Sequence, residues 1–265
     1  MSTQAIEGLR AEVERANELI ASFSDDEWAT PSGCEGWRVQ DVVAHMAATY
    51  QRIADPATID GGDSGNTEAD ADVLVDARRA WTPAQVAAAY RDWSTKGVTA
   101  LEALQDEPLA STIVPLQDLG EHPLHLLANA IAFDHYCHLR HDIGTAVDRA
   151  ATLPRDAAVL APTLDWMLAG LPQMCADALA AAPAQPVNLV IDGPAANSWC
   201  ITPGDSAAGP AWVVANGADD DAPVIRTTAH DFVSWGTKRT DWRGTSTGDV
   251  SNARVAAVLD AFNVI

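Results

Sequence analysis

The chain is poor in positive charge: 16 basic residues stand against 37 acidic ones, a net charge of −21 over 265 residues. A surface of that sign repels phosphate backbones and anionic headgroups, which sets nucleic acid and membrane surfaces aside as partners. Cysteine is sparse as well. Cys34, Cys137, Cys175 and Cys200 occur singly, with no CxxC pair, so neither a disulfide framework nor a thiolate zinc knuckle is expected. No apolar run reaches the length a membrane span demands. The opening MSTQAIEGLRAEVERANELI has acidic residues at helical spacing where a secretory signal needs a basic start and an unbroken apolar stretch. A cytoplasmic protein is the expectation.

What the chain does have is apolar material, 48% of residues, enough for a substantial core. Ile6, Leu9, Val13, Ala16, Leu19, Ile20 and Phe23 recur at steps of three and four, which predicts a first helix over 3–23. After the loop PSGCEGW, Val39, Val42, Val43, Met46, Tyr50 and Ile53 predict a second. Residues 54–80 are acidic, contain glycine and show little periodicity, the mark of an exposed excursion or a lid. Thr82, Pro83 and Gln85 supply a cap, a first-turn proline and a capping-box partner for a third helix through Leu104. Pro123 opens a fourth that runs to about Ile143, and Pro154 and Pro162 punctuate a further helical stretch to about Ala182.

Beyond the linker AAAPAQP the period changes. VNLVI, WCIT, AWVVA and PVIRTT read as strands separated by turn residues, with helices around HDFVSW and in NARVAAVLDAF. The expected fold is mainly α plus a small α+β domain: a helical bundle over 1–182, then the α+β domain over 186–265.

One stretch stands apart. AFDHYCHLRHDI, residues 132–143, places three histidines, two aspartates and a cysteine in the fourth helix. At about 100° per residue from Asp134, His138 falls at about +40° and His141 at about −20°, while the upstream Leu127 and Ile131 fall at about +20° and +60°. Asp134, His138 and His141 thus continue the apolar stripe; Asp142 is at its edge and His135 to the side. Unpaired charges on a core-facing stripe cost several kcal/mol, so a partner is required. Two readings remain: a divalent cation held by a carboxylate and a histidine four residues apart, or a hydrogen-bonded pair served by a neighbour such as Arg140. A cation needs a ligand from another helix. His45 is the candidate, although periodicity places it at the boundary of its helix, beside Asp41 and Thr49.

Three stretches resemble the maleylpyruvate isomerase family of mycothiol-dependent enzymes: GCEGWRVQDVVAHM, PLQDLGEHPLHLLANAIAFDHYCHLRHDI and, less specifically, VIRTTAHDFVSWGTKRTDWRGTSTGD. The resemblance implies a DinB-like four-helix bundle followed by a small domain of the sterol-carrier type. It also implies a zinc ion held by His45, Asp134 and His138, with a fourth position open. The chain departs from the family in two respects. The family's carboxylate is typically glutamate, and relatives often carry an aspartate three residues after the ligand histidine, where this chain has His141 and then Asp142. His141 is therefore a candidate replacement ligand or supporting partner for the metal. The arginine that family members place in the small domain matches Arg239, with Arg243 close by, and Trp37 is the candidate to pack near the pocket.

The implied chemistry is thiol activation. Zinc with an open position binds a low-molecular-weight thiol, mycothiol in the family, as its thiolate. The thiolate adds to an activated double bond of an electrophilic substrate, allows rotation and leaves, turning cis into trans; if it stays attached, the enzyme is an S-transferase. Arg239 would neutralise a carboxylate or enolate on the substrate. A non-catalytic small-molecule carrier with a structural metal, and an interaction protein that has lost the metal, are the competing readings. A monomer and a homodimer are both compatible with the sequence.

Overall fold

A computed structural model describes residues 3–62, 64–206 and 209–265. Its contacts divide the chain into two units that meet in sequence between Pro154 and Arg155. The first is helical: α1 (Thr3–Ala21), α2 (Asp25–Ala29), α3 (Val39–Ala54), α4 (Thr67–Asp76), α5 (Pro83–Ala103), a hairpin of β1 (Ile113–Pro115) and β2 (Glu121–Pro123), α6 (Leu127–Cys137) and α7 (Asp148–Ala151). The long helices α1, α3, α5 and α6 pack on one another. Leu9, Val42, Val43, Met46, Tyr50, Tyr90, Leu101 and Ile131 from their inner faces share one core.

The closest approach is between α3 and α5. A Cβ added at Gly97 would meet Tyr50 Cδ1 at 2.3 Å, so only glycine admits the tyrosine ring there. Thr82 and Gln85 close the expected capping box at the head of α5, with Pro83 in its first turn. At the head of α3, the Asp41 carboxylate accepts hydrogen bonds from the backbone N–H of Arg38 at 2.9 Å and from its guanidinium at 3.0 Å. Burial works to raise the Asp41 pKa, but these bonds and the charges of Arg38 and Arg79 outweigh it, and the group titrates below its ordinary 3.8. Its contribution is therefore complete above pH 3.8 and lost as the pH falls through the depressed folded value. Asp41→Asn should cost about 1.5–3 kcal/mol at pH 7, the range for hydrogen bonds to a charged group. In urea titrations repeated from neutral to acid pH, the gap between parent and variant should close on the acid side.

The second unit begins with α8 (Ala157–Met174) and α9 (Ala176–Ala181). It continues through β3 (Val187–Asp192), β4 (Asn197–Ser206), β5 (Gly209–Asn216), β6 (Val224–Thr228), α10 (Ala229–Gly236), β7 (Thr247–Gly248) and α11 (Ala253–Asp260). The sheet order is β5-β4-β3-β6-β7, with β3 and β6 parallel and the other neighbours antiparallel. All four expected strands and both expected helices are present. α8 packs on α9, α10 and β5.

The boundary thus differs from the one at 182–186. α8 has most of its residues buried, Leu160, Leu164, Trp166, Met167 and Leu171 among them, and such a helix carries no polar face to show which neighbour it packs on. The segment 54–80 differs too. It contains α4, capped by Asn66 and burying Leu74 and Val75, where little periodicity pointed to an irregular excursion. Among the described residues no helix is long and apolar enough to cross a membrane.

Candidate metal centre

The fourth helix does not run on as α-helix to Ile143. α6 ends at Cys137, and residues His138–Asp142 form a π turn, closed by the Ile143 N–H donating to the His138 carbonyl. An i→i+5 turn takes up one residue more than an α turn, so the uniform projection from Asp134 holds to His138 and fails beyond it.

His45 from α3 and Asp134 from α6 meet His138 at this junction. Asp134 Oδ1 lies 3.2 Å from His45 Nε2 and 3.3 Å from His138 Nε2. One ligand atom from each of the three lies within 4.8 Å of the other two. The side chains are 12 to 20% exposed, so the cluster is reached from outside without being a solvated face. Trp37 packs on it: its ring centroid is 5.2 Å from that of His45, and its indole N–H donates to Asp72 of α4 at 2.8 Å.

The polar groups around the cluster are divided between partners. His138 Nδ1 pairs with Asp142 Oδ2 at 2.8 Å, and Cys34 Sγ lies 3.8 Å from the same nitrogen. His135 Nδ1 is 3.1 Å from the Ile131 carbonyl and 3.4 Å from Asp134 Oδ2, the shorter contact taking the hydrogen bond. His135 is fully buried, its ring against Tyr50 at 4.9 Å and Tyr90 at 5.9 Å. Placing it to the side of the stripe overlooked a second apolar surface, the one α6 turns toward those tyrosines. His45 Nδ1 has no hydrogen-bond partner among the described residues.

Electrostatics sort the three groups. Burial would raise the Asp134 carboxyl, but the charge of His138 and the contacts from His135, His138 and His45 outweigh it and hold the group well below the usual carboxylate range. Burial would lower His138; Asp134, Asp142 and Cys34 outweigh it and raise its pKa well above the ordinary value. At His45 burial prevails over Asp134, and the pKa falls. Without an ion the cluster therefore pairs one carboxylate with one imidazolium beside a neutral imidazole. Two imidazoles and a carboxylate converging on one point also form a donor set that suits a divalent cation, which would replace the His138 proton.

Arg140 does not serve this cluster. Its guanidinium, on the π turn, makes a two-pronged pair with Glu12 of α1 at 2.6 and 2.9 Å, also donates to the Pro154 carbonyl, and covers the Tyr136 ring. His141 joins neither group of potential metal ligands found among the described residues; its ring lies 6.0 Å from that of Tyr136. Cys34 and Asp142 form a second such group with His138, which went unnoticed in the sequence. The spacing of four between His138 and Asp142 was available as a signal; the approach of Cys34, 104 residues away, was not.

Arg239 belongs to the second unit, on the exposed turn after α10, where its backbone N–H bonds the Ser234 carbonyl at 2.9 Å. Arg243 is occupied by a two-pronged pair with Asp260 at 2.7 and 2.8 Å, which separates the two arginines that the sequence left easy to confuse.

Residues 9–144 match the family model for the mycothiol maleylpyruvate isomerase N-terminal domain. Two solved structures are similar to the chain. A mycothiol-dependent maleylpyruvate isomerase aligns with a TM-score of 0.57 at 13% identity, covering 94% of this chain and 93% of that one. A histidine-to-alanine mutant of a mycothiol-dependent maleylpyruvate isomerase aligns with a TM-score of 0.55 at 14% identity, with the same two coverages. At such identities the likeness is one of fold. No curated protein matches the chain.

Proposed function

Because the chain belongs to the family of the mycothiol maleylpyruvate isomerase N-terminal domain, we propose that it is a zinc enzyme that activates a low-molecular-weight thiol, mycothiol, for addition to an unsaturated oxo acid of the maleylpyruvate type. On this reading α1, α3, α5 and α6 are a DinB-like four-helix bundle and the second unit is a sterol-carrier-like domain. The observation that carries the proposal is the convergence of His45 Nε2, Asp134 Oδ1 and His138 Nε2 from two helices that are distant in sequence.

Zinc and mycothiol, when bound, would supply a thiolate nucleophile at neutral pH, the chemistry that reversible addition to an activated double bond requires. His45, Asp134 and His138 would hold the ion, two imidazoles and one carboxylate being a donor set that zinc accepts. Trp37 packs on His45 and shields that side of the cluster from water. Arg239 is assigned the substrate's carboxylate or the enolate that develops on addition, a task suited to a planar, permanently charged fork.

Metal analysis by mass spectrometry on untagged protein tests the reading. The expected result is close to one zinc per chain, little or none in His138→Ala prepared identically, and isomerisation of maleylpyruvate with mycothiol that a chelator abolishes and zinc restores. Zinc without turnover would point to a carrier; a retained thiol adduct would point to S-transfer. A parent that takes up no metal even when supplied would end the proposal and leave an interaction protein.

A further inference from the structure

The geometry points to Asp142 as a positioning residue: its carboxylate holds the His138 ring so that Nε2 faces His45 and Asp134. The inference rests on the zinc reading above but concerns a residue that the reading does not use.

His138 has two ring nitrogens with different surroundings. Nε2 faces Asp134 Oδ1 at 3.3 Å, whereas Nδ1 faces Asp142 Oδ2 at 2.8 Å and Cys34 Sγ at 3.8 Å. A carboxylate oxygen accepts from an imidazole N–H, so the short contact holds a proton on Nδ1 and leaves Nε2 as the nitrogen whose proton a cation would replace. Imidazole ligands generally need such a partner to fix ring and tautomer, and its loss typically costs 10- to 100-fold in metal affinity. Asp142 is 2% exposed and cannot trade this contact for water without moving.

The chain secures Asp142 from two directions. Within the π turn, position i+4 lies over His138, so Asp142 takes the supporting contact. From outside, the loop that holds Cys34 is pressed onto the turn: the Gly33 N–H donates to the Asp142 carbonyl at 2.9 Å, and a Cβ at Gly33 would lie 3.0 Å from Asp142 Cα. A side chain at Gly33 would push on the backbone that aims the carboxylate.

The test compares the parent with Asp142→Leu, which keeps the branched shape but cannot accept a hydrogen bond, with the smaller Asp142→Ala as a second version, and with Asp142→Asn, whose amide oxygen can still accept one. Two readouts are taken. Zinc affinity, from competition with a chromophoric chelator, should fall 10- to 100-fold in the Leu or Ala variant and stay within a few-fold of the parent in the Asn variant. In the metal-free protein, proton NMR should show a strongly downfield His138 Nδ1 proton, shifted in the Asn variant and absent from the other. Unchanged affinity, or a downfield proton that survives Asp142→Leu, would overturn the assignment. So would two zinc ions per chain, because Cys34, His138 Nδ1 and Asp142 would then be ligands of a second ion. If the parent binds no zinc, the functional reading fails separately, and the downfield proton still decides whether Asp142 holds the ring.

Discussion

Glu12→Ala is expected to destabilise the protein by about 3–5 kcal/mol, the usual result of removing one partner from a buried ion pair. Both side chains of the Glu12 and Arg140 pair are 0% exposed, and the contact is two-pronged. Without the carboxylate the guanidinium keeps the Pro154 carbonyl and the Tyr136 ring as companions, and neither offsets a full buried charge. At about 2–4 °C per kcal/mol for a chain of this size, the midpoint of thermal unfolding should fall by about 6–20 °C. Replacing both residues by methionine should cost far less: Arg15, the other partner of Glu12, is 22% exposed and can turn to water, so no fully buried charge is stranded. A loss below about 1 kcal/mol for the single variant in denaturant titration would show that the pair is solvated in solution. The prediction bears on the site because Arg140 belongs to the turn that carries His138, so the pair ties the metal-side turn to α1.

The second large effect is on turnover. Asp134→Ala removes the carboxylate that lies between the two Nε2 atoms, and on the proposed zinc mechanism it should lower kcat/KM for isomerisation about 10³-fold or more. Lewis-acid stabilisation is worth several kcal/mol, and each 1.4 kcal/mol is about tenfold. Two imidazoles alone carry no charge to balance a dication. His138 also loses the largest of the influences that raise its pKa, which should therefore fall, with Asp142 and Cys34 still opposing the effect of burial. The fold should survive, because the three side chains are 12 to 20% exposed and none of them is part of the apolar core. Activity within tenfold of the parent, with zinc retained, would mean that Asp134 is not a ligand.

Much of the fold was legible because its signals are local. The Thr82 cap of α5 with Pro83 and Gln85, the alternation of VNLVI and PVIRTT, and the spacing of Asp134 and His138 each lie within a few residues. What escaped depends on distant partners or on a break in period. α8 is apolar over most of its surface, so its neighbours could not be read from its own pattern. The π turn adds a residue to a helix without any glycine or proline to announce it, and His141 was placed on the stripe for that reason. Arg140 stands close to His138 in sequence, yet its partner is Glu12, 128 residues earlier. Asp134 and His138 were named from their spacing and His45 as the ligand another helix must supply, with the resemblance then implying all three; their meeting within 4.8 Å is a property of the packing of α3 against the end of α6.

Trp37 links α4 to His45 of α3, beside the bonds of Arg78 to Gln51 and Arg79 to Asp41. Its indole N–H is held by Asp72 while its ring lies on His45, and α4 is pinned at its head by Asn66 and Thr67 to Asp118. A segment anchored in this way is a brace, not a flap. Changes of length in the loops on either side should leave the imidazole undisturbed, whereas replacing Asp72 should loosen the indole that lies on it.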